Sequence, residues 1–221
     1  MKTPDEIFAQ LSSSMGQRDA SANIQLAKSL ASEQDKSSIR ILIEGLNHKN
    51  KLIQHDCLKV LYEIGPIHPD LITEYLTVFL GLLNHKDNRM QWGGMIALQS
   101  IVISVPDKMY KSLPNILNAA KKGSVITKDA SIQVLINLAS IKKYYAAAVD
   151  LLLEQLMISL PNQTPMYAER ILPLINKSNA NRFCNVLQSR IKEMEKESQR
   201  SRLEKIVIRT RNQYVESKLL H

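Results

Sequence analysis

The sequence predicts an all-α fold in which antiparallel helix pairs repeat every 37 residues. The tetrapeptide LNHK at 46–49 recurs at 83–86, and seven of the nineteen aligned positions between 46–64 and 83–101 are identical. A fixed period of this length is typical of stacked supersecondary units. Only seven of the 221 residues are Gly and 5% are aromatic, which favours helices over sheets. We therefore expect one continuous array of helix pairs.

The individual helices follow from apolar residues that recur at i, i+3, i+4 and i+7. At the amino end, Thr3 is an N-cap, Pro4 takes the first helical position and Glu6 completes a capping box, so a helix begins here and ends at Gly16. The predicted pairs are 4–16 with 19–30, 37–46 with 51–64, 69–83 with 87–102, 106–122 with 124–141, 145–160 with 165–176, and 180–197 with 201–217. The last pair could equally be one long helix. The corresponding units of a single domain over 1–221 are roughly 3–31, 35–65, 68–103, 106–141, 144–176 and 179–217.

The second helix of each pair keeps the same register without gaps. Three apolar columns recur at multiples of 37 residues: Val60, Ala97, Val134 and Ile171; Leu61, Leu98, Leu135 and Leu172; Ile64, Ile101, Leu138 and Ile175. The position of Cys57 is occupied in later units by Gly94, Ser131 and Ala168, all small, as expected where neighbouring helices approach closely. A helix pair cannot bury its apolar stripe alone, so each unit must pack against its neighbours.

These helix pairs resemble HEAT and armadillo-type repeats over essentially the whole chain. The residues that carry the resemblance are the columns of Val60 and Leu61, the turns 47–50 and 84–88, and Pro114, which is similar to the helix-bending prolines of such repeats. The resemblance implies a right-handed α-solenoid of about five to six antiparallel helix pairs, whose second helices line a concave face. It also implies a non-enzymatic scaffold that binds another protein or peptide along that face.

Candidate partner contacts lie opposite the buried columns of the second helices. At 100° per residue, His55, Lys59 and Tyr62 fall on that side of the 51–64 helix. With their equivalents in later repeats, the predicted binding residues are His55, Lys59, Tyr62, Trp92, Ile96, Gln99, Asp129, Gln133, Met166 and Arg170. Trp, Tyr and Arg are enriched at binding hot spots. The alternative is that Trp92 and Met166 turn sideways and fill gaps between repeats.

Two turn histidines, His48 and His85, occupy the same position in adjacent repeats. Neither has Cys, Asp or Glu at metal-ligand spacing, and the next repeat has Lys122 at that position, so we predict a structural hydrogen bond rather than a metal site. The chain also lacks HExxH, GxSxG, a Gly-rich phosphate loop and paired cysteines. We predict no catalytic residue, no metal and no cofactor.

Positive charge is concentrated near the carboxyl end. The net charge is +8, and residues 190–221 hold nine Lys/Arg and five Asp/Glu; further surplus lies in predicted turns at 121–122 and 142–143. The candidate contacts for phosphates or an acidic partner are Arg200, Arg202, Lys205, Arg209 and Arg211. The alternative is a solvated polar cap, which the ends of repeat arrays require.

Nucleic-acid binding is the second functional hypothesis. HEAT-like repeats also form DNA glycosylases that remove alkylated bases and use tryptophans, a catalytic Asp and an Arg in a concave cleft. By that resemblance Trp92, Asp129 and Arg170 occupy the relevant positions. Two features of the sequence depart from that family: the residue one turn after Trp92 is Ile96 rather than Asp, and the chain has no second Trp. The helices at 51–64 and 124–141 are also each net neutral, which does not favour contact with phosphates. Protein binding is the preferred prediction.

The predicted cellular location depends on two kinds of segment that the sequence lacks, a signal segment and a membrane-spanning stretch. The amino end has early acids and no apolar signal segment, and no stretch approaches 18 uncharged apolar residues. Cys57 and Cys184 are far apart and should be reduced, buried thiols. We predict a soluble cytoplasmic protein without membrane contact.

Overall fold

The computed structural model describes residues 2–214, and every regular element in that range is helical. The α-helices are α1 (Pro4–Phe8), α2 (Ser21–Glu33), α3 (Lys36–Gly45), α4 (Lys51–Ile64), α5 (Leu76–Leu82), α6 (Asn88–Ile101), α7 (Pro106–Lys111), α8 (Leu113–Lys122), α9 (Val125–Ala139), α10 (Tyr145–Ile158), α11 (Thr164–Ile171), α12 (Ala180–Ile191) and α13 (Glu197–Tyr214). Short 3₁₀ helices span Pro69–Leu71, Thr73–Tyr75 and Leu172–Leu174. The all-α prediction is confirmed; positions 215–217 of the predicted last helix lie outside the described residues.

The chain divides into two compact units, one up to Val134 and one from Leu135 onwards. In the first unit α4 is central, because it packs against α2, α3 and α6, while α5 packs on α6 and α1 on α3. In the second unit α12 packs against α10 and α13, and α11 packs against α13. Within residues 2–214 no helix has the length and apolar character needed to cross a bilayer.

Side-chain caps set the starts of several helices. The predicted capping box is present at α1, where the Thr3 hydroxyl accepts the Glu6 N–H and the Glu6 carboxylate accepts the Thr3 N–H. Asn50 caps α4 and Asp87 caps α6, each accepting the N–H two residues on, at 2.9 and 2.8 Å. These caps place the starts of α4 and α6 at Lys51 and Asn88, at or next to the residue that the repeat predicts.

Several first helices are shorter than their apolar pattern predicts. The helix expected up to Gly16 ends at Phe8 and continues as turns, and Gly16 itself adopts a left-handed φ of 68°. The segment expected as one helix at 69–83 contains two 3₁₀ turns before α5. Pro114 divides the helix expected at 106–122 into α7 and α8, since proline lacks an N–H and excludes a continuous helix through Ser112.

The repeated columns form the core, as predicted. Val60, Ala97, Val134 and Ile171 are completely buried, and the Ile64 column is at most 3% exposed. In the third column Leu61, Leu98 and Leu135 are buried but Leu172 is only half-buried, because α11 ends at Ile171 and a 3₁₀ turn follows.

Neighbouring helices approach closely at the small-residue column. A Cβ added to Gly94 would lie 2.8 Å from Cβ of Leu82 and 3.2 Å from the carbonyl oxygen of Phe79. On α3, a Cβ on Gly45 would lie 2.5 Å from Sγ of Cys57. These separations are below van der Waals contact, so the helix spacing within the first unit requires small residues here.

A buried polar cluster fixes the segment after α1 to the first unit. Asp56, on α4, accepts the backbone N–H of Ser13 at 2.8 Å and the side-chain amide of Asn23 at 2.7 Å. Asn23, on α2, in turn accepts the N–H of Ser12 at 2.9 Å. Because Asp56 and Asn23 are buried, each of these hydrogen bonds replaces water that the groups would otherwise need.

We expect Gly94→Ala to destabilise the fold by about 1–3 kcal/mol, because the added methyl overpacks the α5–α6 contact. Gly81→Ala is the matched control, since nothing lies within 4 Å of a Cβ there; removing glycine from a helix should stabilise that variant by roughly 0.5–1 kcal/mol. Urea unfolding measures both changes. Equal effects of the two substitutions would contradict the close contact.

Candidate functional site

The candidate surface in the first unit consists of side chains from α4 and α6, the two neighbouring second helices. His55, Lys59 and Tyr62 come from α4, and their equivalents on α6 are Trp92, Ile96 and Gln99. All six are half-buried, between the core columns and solvent. We call this set the α4–α6 row; it is partly covered, not the freely exposed strip that the sequence predicts.

An aromatic pair lies at the centre of the α4–α6 row. The ring centroids of Tyr62 and Trp92 are 6.0 Å apart, with the ring planes inclined at 54°. Such a tilted arrangement is favourable because it brings the positive edge of one ring towards the negative face of the other. Trp92 thus does pack sideways onto an adjacent helix, as the gap-filling alternative requires, while part of its surface still reaches solvent.

A cation extends the aromatic pair along α4. The Nζ of Lys59 lies 4.8 Å from the centroid of the Tyr62 ring and also donates to the Glu63 carboxylate. Burial, the largest single influence, acts to lower the pKa of Lys59, but the hydrogen bonds and charges of Glu63 and Tyr62 together outweigh it, and the pKa is raised. Burial raises the pKa of Tyr62. At neutral pH the row therefore presents a neutral phenol beside an ammonium whose charge Glu63 balances.

His55 joins the two helices at the end of the row nearest their amino termini. Its Nε2 lies 3.0 Å from Oδ2 of Asp87, the same carboxylate whose other oxygen caps α6. Although burial opposes the charge of Asp87, the hydrogen bonds from His55 and from the Arg89 N–H hold the pKa of that carboxyl below its usual value. The His55 side chain is only 14% exposed, so its main contact is this internal one.

The other predicted binding residues lie on α9 and α11. Asp129 and Gln133 are half-buried on α9, and each interacts with other residues of the chain, as Gln99 does on α6. Met166 and Arg170 belong to α11 in the second unit and are also half-buried, and Arg170 too has an interaction partner. Their role in binding stays a prediction.

The two turn histidines have the structural role that the sequence predicts. Nδ1 of His48 accepts the N–H of Asn50, and Nδ1 of His85 accepts the N–H of Asp87, both at 3.0 Å. The amide of Gln54 bonds the His48 carbonyl at 2.6 Å, and Gln91 bonds the equivalent turn through Leu83 at 2.9 Å. The repeated residues are thus a clamp on each turn. Residues 2–214 contain no group of three His, Cys, Asp or Glu side chains suited to a metal ion.

The carboxyl-terminal cations are divided between internal contacts and solvent. Arg202 donates twice to the Glu169 carboxylate, at 2.9 and 2.7 Å, and Arg200 donates to the carbonyl of Met194 at 2.7 Å. Arg211 is half-buried and lies against the Cys184 thiol, whose pKa burial raises. Lys205 and Arg209 are exposed beside Glu169 in a shallow groove between α11 and α13.

Sequence reasoning missed the acidic residues that pair with Lys59, His55 and Arg202. The predicted contact residues do not include Glu63, Asp87 or Glu169. Arg190, counted with the basic run, is buried: its guanidinium donates to the Ser159 carbonyl at 2.6 Å and pairs with Glu193. Two of these pairs have local spacing, i, i+4 for Lys59 with Glu63 and i, i+3 for Arg190 with Glu193. The pairs His55–Asp87 and Arg202–Glu169 join different helices and give no local signal.

Comparison with known proteins adds a likeness of fold. No protein-family model matches the chain, and no curated protein sequence matches it. Two crystal structures of engineered proteins, solved by the Northeast Structural Genomics Consortium, are similar. The first is 17% identical, with a TM-score of 0.57, over 96% of this chain and all of the other. The second is 17% identical, with a TM-score of 0.51, over 98% of this chain and all of the other. At this identity the likeness concerns the fold alone.

Asp87→Asn should keep the cap of α6, because Asn50 caps α4 in the same way, but lose the charge that binds His55. Since the pKa of Asp87 is lowered in the folded protein, its stabilising effect is present above the unfolded value of about 3.9 and is lost as the pH falls through the folded one. We expect the variant to be less stable by up to about 1 kcal/mol at pH 7, and the difference to shrink below pH 4. Thermal melts at pH 3, 5 and 7 measure this. A difference that does not depend on pH would point to the cap instead.

Proposed function

We propose that this chain is a non-enzymatic scaffold that binds another protein through the α4–α6 row. The observation that carries the proposal is the Tyr62–Trp92 pair, which spans two neighbouring helices at half-buried positions. Large aromatic side chains that keep part of their surface in solvent can bury further apolar area against a partner. Tyr and Trp are among the residue types that contribute most to protein interfaces.

The row is also held in place before any partner arrives. Lys59 is fixed by Glu63 and lies over Tyr62, and His55 is fixed by Asp87. Side chains that are already ordered lose little conformational freedom on binding, which favours affinity. Because Glu63 balances the charge of Lys59, the expected partner inserts an apolar side chain against the ring pair and places polar groups near Gln99.

The finer architecture belongs to the same proposal. We infer that the 37-residue repeat builds a right-handed superhelix like those of HEAT and armadillo-type proteins; the buried columns support this. On that basis Asp129 and Gln133 extend the proposed surface within the first unit, and Met166 and Arg170 are proposed contacts on α11 of the second unit. A cytoplasmic location is supported by Cys57 and Cys184, which are free and buried as predicted; burial raises the pKa of Cys57 to about 12, so its thiol is unreactive.

Trp92→Ala should weaken partner binding about 30-fold or more, because loss of a hot-spot aromatic costs about 2 kcal/mol or more. Tagged wild-type and variant chains can be used as baits, with captured proteins quantified by mass spectrometry. Trp92→Phe keeps a ring against Tyr62 and should retain part of the binding.

The matched control is Ile103→Ala, which removes an exposed apolar side chain outside the row. Partners that depend on the row should remain bound to this control and be lost with Trp92→Ala. Circular dichroism and urea unfolding establish that both variants fold. If folded Trp92→Ala captures the same proteins as wild type, the row is not the binding surface.

The alternative function, removal of alkylated bases from DNA, stays a prediction. Its test is incubation of the purified chain with a methylated DNA duplex. Release of the methylated base would establish the activity, and its absence would leave the scaffold as the function. Charge reversal at Arg200, Arg202 and Arg209 tests the related prediction that the carboxyl-terminal cations bind nucleic acid.

A further inference from the structure

The first unit carries its positive charge in three equivalent segments. Each segment is the turn into a second helix together with the start of that helix. The three segments are 37 residues apart and comprise residues 47–54, 84–91 and 121–128. Together these turn segments hold seven Lys/Arg and one Asp, a net charge of +6. The remainder of residues 1–134 holds eight Lys/Arg and twelve Asp/Glu, a net charge of −4. The charge of this unit is therefore segregated, not spread over its surface.

Most of these cations face solvent. The exposed ones are Lys49, Lys51, Lys86, Arg89, Lys121 and Lys122. None of the six forms an ion pair with another residue in the range 2–214. This contrasts with Lys59, Arg190 and Arg202, each of which is paired with a carboxylate. Six unpaired cations leave an attractive potential that an external anion can satisfy.

The first two turn segments lie side by side at one edge. Contacts between α4 and α6 advance along both helices, from His55 with Asp87 to Gly65 with Ser100, so the helices run parallel. Their amino termini, and hence both turns, are at the same edge. A concavity of about 550 Å³ there is lined by Lys51, Asn84, His85, Lys86 and Asp87. Its one carboxylate, Asp87, is already engaged by His55 and by the Arg89 N–H.

The carboxyl end of α4 has the reverse charge. The connection from the end of α4 to α5, residues 63–75, contains Glu63, Asp70 and Glu74 and no Lys or Arg. The connection after α6 differs, because it continues into α7 with Asp107, Lys108 and Lys111. A polyanion would thus be attracted to the turn edge and repelled by the connection after α4.

We propose that this turn edge binds the phosphate backbone of a nucleic-acid duplex. Packed helices are about 8–10 Å apart, so cations on successive turns recur at about three times the 3.4 Å rise per nucleotide of one strand. The turns also expose Asn47, Asn50, Asn84 and Asn88, and asparagine side chains commonly bond phosphate oxygens. The three turn segments contain no Phe, Tyr or Trp for base stacking, so binding should depend on charge and not on sequence. This surface adjoins the α4–α6 row at the contact between Asp87 and His55.

The test compares two charge reversals of equal size. Lys51→Glu with Lys86→Glu removes the two lysines of the concavity; Lys108→Glu with Lys111→Glu, on exposed positions of α7, makes the same change in net charge elsewhere. Binding to fluorescein-labelled 20-base-pair DNA and RNA duplexes is followed by anisotropy between 50 and 300 mM salt. Circular dichroism checks that both variants fold.

We expect wild type to bind duplex at 50 mM salt and the Lys51/Lys86 variant to bind at least tenfold more weakly. Each lost phosphate contact should reduce the slope of log affinity against log salt by about 0.9, so the slope should fall by about 2. The Lys108/Lys111 variant should stay within twofold of wild type. Trp92→Ala should not alter duplex binding, which separates this proposal from the scaffold function.

Three results would overturn the proposal. One is absence of duplex binding at 50 mM salt. Another is an equal loss in both double variants, which would mean that only net charge matters. The third is binding to a polyglutamate peptide or to phosphatidylserine vesicles without binding to duplex. A membrane would bury the exposed apolar residues of the turn segments, which are Leu52, Val125 and Ile126. Equal affinity for the DNA and RNA duplexes would show that the ligand is the phosphate backbone that both share.

Discussion

The structure depends on burial that neighbouring helix pairs must share. In the first unit the apolar stripe of α4 is covered only in part by α3, and the remainder is buried against α2 and α6. The helices of this unit touch through small residues: Gly93 on α6 lies against Leu58 on α4, and Gly94 lies against Leu82 and Phe79 within the α5–α6 pair. A larger side chain at either glycine would push apart the helices that bury these apolar columns.

The same constraint makes the surface periodic. When the Val60 and Leu61 columns face inward, the positions opposite them fall on the other side of each helix, so Tyr62 of α4 and Trp92 of α6 lie on the same side of the unit. Their rings meet across the α4–α6 boundary because of the way the two helices pack. The His48 and His85 clamps hold the two turns through equivalent hydrogen bonds. The aromatic pair and the turn cations thus lie on adjoining parts of the first unit, and the two proposed partners would contact different residues.

Buried polar groups hold in place the segments of the chain that lie outside the repeated helix pairs. The segment after α1 has little regular structure, and Asp56 and Asn23 hold it through backbone N–H groups that would otherwise be buried without partners. In the second unit Arg190 has a comparable role, because its buried guanidinium bonds the backbone at the end of α10. Removing either group would leave several buried hydrogen-bonding groups unsatisfied.

The sequence by itself determined the helical class, the 37-residue register, the buried columns, the cap at Thr3 and the structural role of the turn histidines. All of these depend on local spacing and on the chemistry of single residues. Only the tertiary structure decided which side chains meet. Equal register would pair Tyr62 with Gln99, yet Tyr62 contacts Trp92, because α6 is displaced along α4. That displacement is set by the interlocking of side chains from two helices, a property that neither helix specifies alone. The same holds for the pairing of Arg202 with Glu169 and of His55 with Asp87.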